Sequence, residues 1–278
     1  MLKNLIIRAL TGILFVAVLV GAICYKPVSF LIVFGLITGL TLWEFFGLME
    51  HYEKATLKRA ISSLGGVYLF VATFMYANQI SDGAVFLPYI LFLIYTLVAE
   101  LYSKAPNPIN DWSFTMFAQV YCAGTFSMLN FLAATPNVEG AMVYSPLFVL
   151  AVFVFIWLND TGAYLIGTLF GKRRLFERIS PKKSWEGFFG GMIVALAASQ
   201  ALAWYAPEIS WYNWLGLALT VVVFGTWGDL VESLLKRTLG VKDSGKMLPG
   251  HGGMLDRFDS LMLAAPAAYI YIRMFIQN

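Results

Sequence analysis

Residues 140–159 read GAMVYSPLFVLAVFVFIWLN, twenty consecutive positions without a charged side chain. A helix rises about 1.5 Å per residue, so this run alone matches the roughly 30 Å hydrocarbon core of a bilayer. The pattern repeats outward in both directions. Charge-free runs cover 9–25, 27–43, 60–81, 83–99, 112–138, 187–207 and 209–228, and an apolar run, 260–272, lies near the end. Nine transmembrane helices are predicted, near 6–25, 27–48, 60–78, 83–102, 112–134, 145–169, 186–206, 210–232 and 257–277. The last reaches full length if Arg273 snorkels at its end.

Composition agrees with this all-α polytopic membrane fold. The 278 residues are 59% hydrophobic and 13% charged, whereas soluble domains carry about 25% charged residues. Disorder is excluded by the 23 Phe, 14 Tyr and 8 Trp, and a net charge of +3 without a long basic arm argues against a nucleic-acid partner. Cys24 and Cys122 both lie in apolar stretches, so neither a disulfide framework nor a zinc motif is expected. Lys3 and Arg8 before the first run imitate a signal peptide, but residues 21–25, GAICY, make a poor cleavage site. The run is kept as the first span.

Basic residues orient the chain. With the N-terminus cytoplasmic, all 19 Lys and Arg except Lys26 and Arg273 fall in inner segments, as the positive-inside rule requires. An integral protein of the cell (inner) membrane follows, its active face cytoplasmic. The outer segments 78–82 and 135–139 read as turns. Residues 1–135 hold five spans; residues 136–278 hold four spans and two rich cytoplasmic loops, 170–186 and 232–256.

Carboxylates inside spans are costly, by roughly 2.5–3.5 kcal/mol on insertion scales, and so usually have a partner or a task. Glu44 is expected to snorkel or to pair with a loop lysine. Asp160, well inside the sixth span, is a stronger functional candidate, and Asp229 the strongest. Asp229, Ser233 and Lys236 stand at i, i+4 and i+7, on one helical face. The loop that follows, KDSGKMLPGHGGMLDRFD over 242–259, is rich in Gly and Pro, which lets backbone amides approach phosphate oxygens. Asp256 and Asp259 are expected on one face at the start of the ninth helix. Carboxylates beside Lys and Arg suit Mg²⁺ with nucleotide phosphates, because the metal takes one or two carboxylates plus phosphate oxygens. In the other loop, Ser180, Lys183 and Ser184 lie near a helix start, where hydroxyls, amides and charge favour an anion. The cluster Lys172–Arg174 fits acidic lipid headgroups equally well.

The run from Ser233 through Lys236-Arg237, Lys242-Asp243-Ser244-Gly245 and residues 248–253 to Asp256-Arg257-Phe258-Asp259 resembles the signature of the phosphatidate cytidylyltransferase (CDP-diacylglycerol synthase) family. Residues 160–164 and 180–187 resemble its two upstream motifs, in order and spacing. The likeness covers the C-terminal 120 residues or so; the N-terminal half shares only hydropathy and Glu44 with its aromatic neighbours.

The resemblance implies a dimeric nine-helix enzyme that converts CTP and phosphatidic acid to CDP-diacylglycerol and pyrophosphate. It implies Mg²⁺ on Asp229 and Asp256, with or without a monovalent cation such as K⁺. On this reading Ser233 and Asp259 flank the metal, and Lys236, Lys246 and Arg257 neutralise phosphates. Ser180, Lys183, Ser184 and Asp160 would contact substrate, and Asp243 would orient Lys236 or bind a second cation.

Three other readings fit less well. A CTP-dependent polyprenol kinase shares part of the pattern but releases CDP. A CDP-alcohol phosphotransferase lacks its D-G-x2-A-R motif here. A transporter using Asp160 and Asp229 would show a repeat or broken helix pairs.

Overall fold

The computed structural model describes residues 2–53, 55–103, 106–137, 139–245, 247 and 252–277, with 2–9 as backbone alone. In chain order come helices α1 (Leu2–Tyr25), α2 (Pro27–Tyr52) and α3 (Arg59–Ala77), a 3₁₀ turn (Gly83–Phe86), α4 (Leu87–Ala99) and α5 (Pro108–Ala118). A π turn (Gln119–Gly124), α6 (Thr125–Leu132) and a hairpin, β1 (Ala134–Pro136) and β2 (Met142–Tyr144), follow. Then come α7 (Leu147–Phe170), the hairpin β3 (Arg174–Phe176) and β4 (Ser180–Ser184), α8 (Trp185–Tyr205), α9 (Trp211–Thr238), α10 (Leu255–Phe258) and α11 (Leu261–Phe275).

Helix thus occurs in every expected span. Among the described residues, α2, α3, α7, α8 and α9 are long and apolar enough to cross a membrane, and Leu10–Tyr25 and Gly83–Ala99 are shorter apolar helices. On α8, Phe189, Ile193 and Trp204 are exposed, an outward apolar row that suits lipid better than water.

Three local expectations change. The outer segment at 135–139 is not a plain turn but part of the antiparallel β1–β2 hairpin, with Ala134 paired to Tyr144. The fifth span is interrupted by the π turn, where Gln119 reaches sideways to donate to Ser62 O at 2.8 Å. The ninth is interrupted between α10 and α11, where the Asp259 carboxylate takes the Ser260 N–H at 2.7 Å. Such a local side-chain bond competes with the helical ladder.

The chain forms two compact units, Met1–Pro146 with Asp243–Arg257, and Leu147–Lys242 with Phe258–Asn278. In the first, Phe30, Phe34, Phe45 and Phe46 of α2 are fully buried, with Phe30 and Phe34 centroids 4.7 Å apart. Polar side chains tie its helices together: Asn130 Nδ2 donates to Phe70 O at 2.9 Å and to Thr73 Oγ1 at 2.7 Å. Such interhelical bonds, with dense packing, replace the hydrophobic drive that lipid cannot supply.

In the second unit α7 and α8 meet along small residues. A Cβ on Gly162 would lie 2.9 Å from Gly191 Cα, and one on Gly187 would lie 2.8 Å from Ala163 O. Glycine therefore sets how closely the two backbones approach. The β3–β4 hairpin is pinned to α8 by Glu186, whose carboxylate accepts from Lys172 N at 3.1 Å and Arg173 N at 3.2 Å.

Candidate active site

Within the second unit a cavity of about 270 Å³ is enclosed by α7, the β3–β4 hairpin, α8 and α9. Asn159 and Asp160 enter it from α7, Lys182 and Lys183 from β4, and Thr226 and Asp229 from α9; Tyr164, Leu175 and Phe188 make its apolar wall. A charged floor beside an apolar wall suits a ligand that is anionic at one end and greasy at the other.

Helix α9 runs unbroken through Asp229, Ser233 and Lys236, so the predicted helical face forms. Ser233 Oγ donates to Asp229 Oδ1 at 3.2 Å, one turn apart. Asp229 Oδ2 is ion-paired to Lys183 Nζ across the cavity. Lys236 pairs with Glu232, one turn back on the same helix, and that side chain is fully buried. Glu232 therefore holds the Lys236 ammonium from the same helix, and Asp243 is exposed. Asp259 is half-buried and feels the negative charges of Asp229, Glu232 and Asp160. Four carboxylates thus interact near the ammonium groups of Lys183 and Lys236.

Ser184 caps α8 by accepting from Gly187 N at 3.1 Å, as its position before the helix predicts. It lines the cavity, whereas Ser180, at the far end of β4, is not among the lining residues. Lys182 takes that place. The basic side chain of Arg237 has a structural task, donating to Val241 O at 3.1 Å.

In the first unit, residues 252–256 wrap a carboxylate. Asp256 Oδ2 accepts from Ser244 N at 2.9 Å and Gly253 N at 2.8 Å, and Gly252 holds a φ of +83° that an L side chain rarely adopts. Asp256 and Asp259 do not share a helical face, since α10 ends between them. Arg257 is exposed. Lys246 and residues 248–251 lie outside the described residues.

Glu44 departs furthest from expectation. It is buried, and among the described residues it meets no lysine: Oε1 accepts from Ser244 Oγ at 3.0 Å, and Oε2 from Met254 N at 2.5 Å and Leu255 N at 3.1 Å. The other residues that sequence reasoning missed are Asn159, Lys182, Thr226 and Glu232. Asn159 and Lys182 adjoin chosen residues, and Glu232 lies one turn before Lys236. Nothing in the sequence marks Thr226 or separates these neighbours from filler.

Among the described residues, no three His, Cys, Asp or Glu side chains are placed to hold a metal ion. Mg²⁺ needs no all-protein cage, since it is held by one or two carboxylates with substrate phosphates and waters. The donors at Asp229 are all oxygen, with Ser233 bonded to it and Asp259 interacting, and Asp256 is oriented by two amides. This donor chemistry fits that cation.

A profile of the Cytidylyltransferase family matches residues 6–275. A phosphatidate cytidylyltransferase of Haemophilus influenzae is 32% identical over 294 residues, covering 98% of this chain and 99% of its own. Phosphatidate cytidylyltransferases of Staphylococcus aureus and Staphylococcus epidermidis are each 47% identical over 126 and 127 residues, 45% of this chain and 48% of theirs.

Proposed function

Since the chain belongs to the cytidylyltransferase family, we propose that it transfers the cytidylyl group of CTP to phosphatidic acid, giving CDP-diacylglycerol and pyrophosphate. The observation that carries this reading beyond family membership is the cavity of the second unit. Its charged side holds Lys182, Lys183 and Asp229, while Tyr164, Leu175 and Phe188 offer an apolar side to acyl chains.

The reaction needs no activated serine or cysteine. A phosphate oxygen of the lipid bonds to the α-phosphorus of CTP as the bond to the β-phosphate oxygen breaks, and pyrophosphate leaves. Positioning and charge neutralisation then do most of the catalysis.

Asp229 and Asp256 are assigned to Mg²⁺, with Ser233 and Asp259 beside Asp229. When bound, Mg²⁺ supplies charge neutralisation to the triphosphate and the departing pyrophosphate. Lys183 is held by Asp229 until a phosphate competes for it, so it delivers charge where the ligand arrives. Lys182 takes the contact expected of Ser180. Lys236, Lys246 and Arg257 are assigned to the remaining phosphate charge and Asp160 to substrate. Ser184 shapes the cavity through its cap, and Asp243 is assigned to orienting Lys236 or to a second cation.

The charge distribution supports nine spans, a cytoplasmic N-terminus and a catalytic face on the cytoplasmic side of the inner membrane. A homodimer is part of the same reading. The test is pyrophosphate release from CTP by purified protein in detergent. Release that requires both phosphatidic acid and Mg²⁺ supports the reading; release of CDP, or turnover indifferent to phosphatidic acid, refutes it.

A further inference from the structure

Glu44 lies on α2, two hundred residues before the loop it touches, and its side chain is almost entirely enclosed at 7% exposure. Both of its oxygens are used on that loop. Ser244 donates its hydroxyl to Oε1, and the successive amides of Met254 and Leu255 donate to Oε2. Two glycines make the approach possible: a Cβ on Gly245 or Gly253 would collide with Oε1. The same stretch of backbone turns its other amides elsewhere. Ser244 N and Gly253 N both donate to Asp256 Oδ2.

Ser244 therefore bonds Glu44 through its hydroxyl and Asp256 through its amide, and Gly253 and Met254 divide their amides the same way. The loop is a two-sided template, held by one carboxylate and holding another. A buried carboxylate with three donors has a far larger enthalpic stake than a surface turn needs.

We propose that Glu44 is a positioning residue for the reaction: from α2 it fixes residues 244 and 253–255 so that their amides set the orientation of the Asp256 carboxylate. The inference rests on the reading of Asp256 as a metal carboxylate. Partners that orient a metal ligand are commonly worth about 10–100-fold in metal affinity or activity. Glu44→Ala is therefore expected to raise the Mg²⁺ concentration for half-maximal turnover by about tenfold or more. The KM for phosphatidic acid should stay within about twofold, because Glu44 does not line the lipid cavity.

The decisive readout is independent of turnover. Amide hydrogen exchange over 252–257, measured on metal-free full-length protein, is expected to accelerate at least about tenfold in Glu44→Ala. Glu44→Gln should restore most of the protection, since its carbonyl oxygen accepts from the two amides and its NH₂ donates to Ser244 Oγ. If Glu44→Ala does not accumulate, Ser244→Ala removes only one of the three bonds and should give a smaller shift of both readouts in the same direction.

Unchanged exchange overturns the proposal, as does faster exchange with an unchanged Mg²⁺ requirement. Asp256→Asn is assayed alongside. Full activity there overturns the reading of Asp256 and this inference with it, and is told apart because loop exchange still responds to Glu44.

Discussion

Replacing Lys236 by Met separates stability from catalysis on α9. The Glu232 side chain is 0% exposed and that of Lys236 11% exposed, and the two are ion-paired one helical turn apart. Truncating one partner of a buried pair strands the other charge in low dielectric, at about 3–5 kcal/mol. Asp259 feels the negative charges of Asp229, Asp160 and Glu232, so without the Lys236 ammonium Glu232 keeps other carboxylates as its neighbours. Thermal midpoints move by roughly 2–4 °C per kcal/mol for chains of about 150–250 residues. Lys236→Met should therefore lower the midpoint in detergent by about 6–20 °C. Replacing both, as Glu232→Leu with Lys236→Met, removes the unpaired charge and should recover the stability to within about 1–2 kcal/mol of the parent. Turnover should not return, because the ammonium assigned to phosphate is still missing. Size-exclusion-monitored heating and pyrophosphate release measure the two quantities on the same samples. A single variant as stable as the double would refute the buried pair, and a double variant with parental turnover would refute the catalytic part.

Asp256→Asn should abolish pyrophosphate release while the protein still inserts in the membrane and elutes normally; near-parental activity would remove Asp256 from the site. Lys183→Ala should lower kcat/KM by about 10–150-fold, the kinetic equivalent of a charge-assisted bond of roughly 1.5–3 kcal/mol. A change under about twofold would show that Lys183 serves only to pair Asp229. Gly253→Ala drives a methyl group into the Glu44 carboxylate, and its loop should lose exchange protection as in Glu44→Ala; parental protection would mean that the loop has room to spare.

Much of the fold was legible because bilayer physics is simple. A charge-free run near twenty residues long permits few structures other than a helix, and helix is found in each run. The breaks were not legible. At the π turn the Gln119 side chain donates to Ser62 O, 57 residues away, and where α10 gives way to α11 the Asp259 carboxylate takes the Ser260 amide. Within the site, the pairing of Ser233 with Asp229 could be read because both lie on one helix with fixed geometry. Lys183 with Asp229 could not, since β4 and α9 are joined only by folding.

The sequence by itself determined the class of the protein, its apolar segments and the chemical kinds of residue available, because composition and spacing along one chain fix these without reference to any partner. Tertiary structure alone decided which charge answers which. It gave Lys183 to Asp229, and it turned Glu44 from a residue expected to reach for solvent into the anchor of the 252–256 loop. The physical reason is that burial makes an unpaired charge or amide costly, so each finds whatever partner folding brings near, and that partner's distance along the chain leaves no local trace.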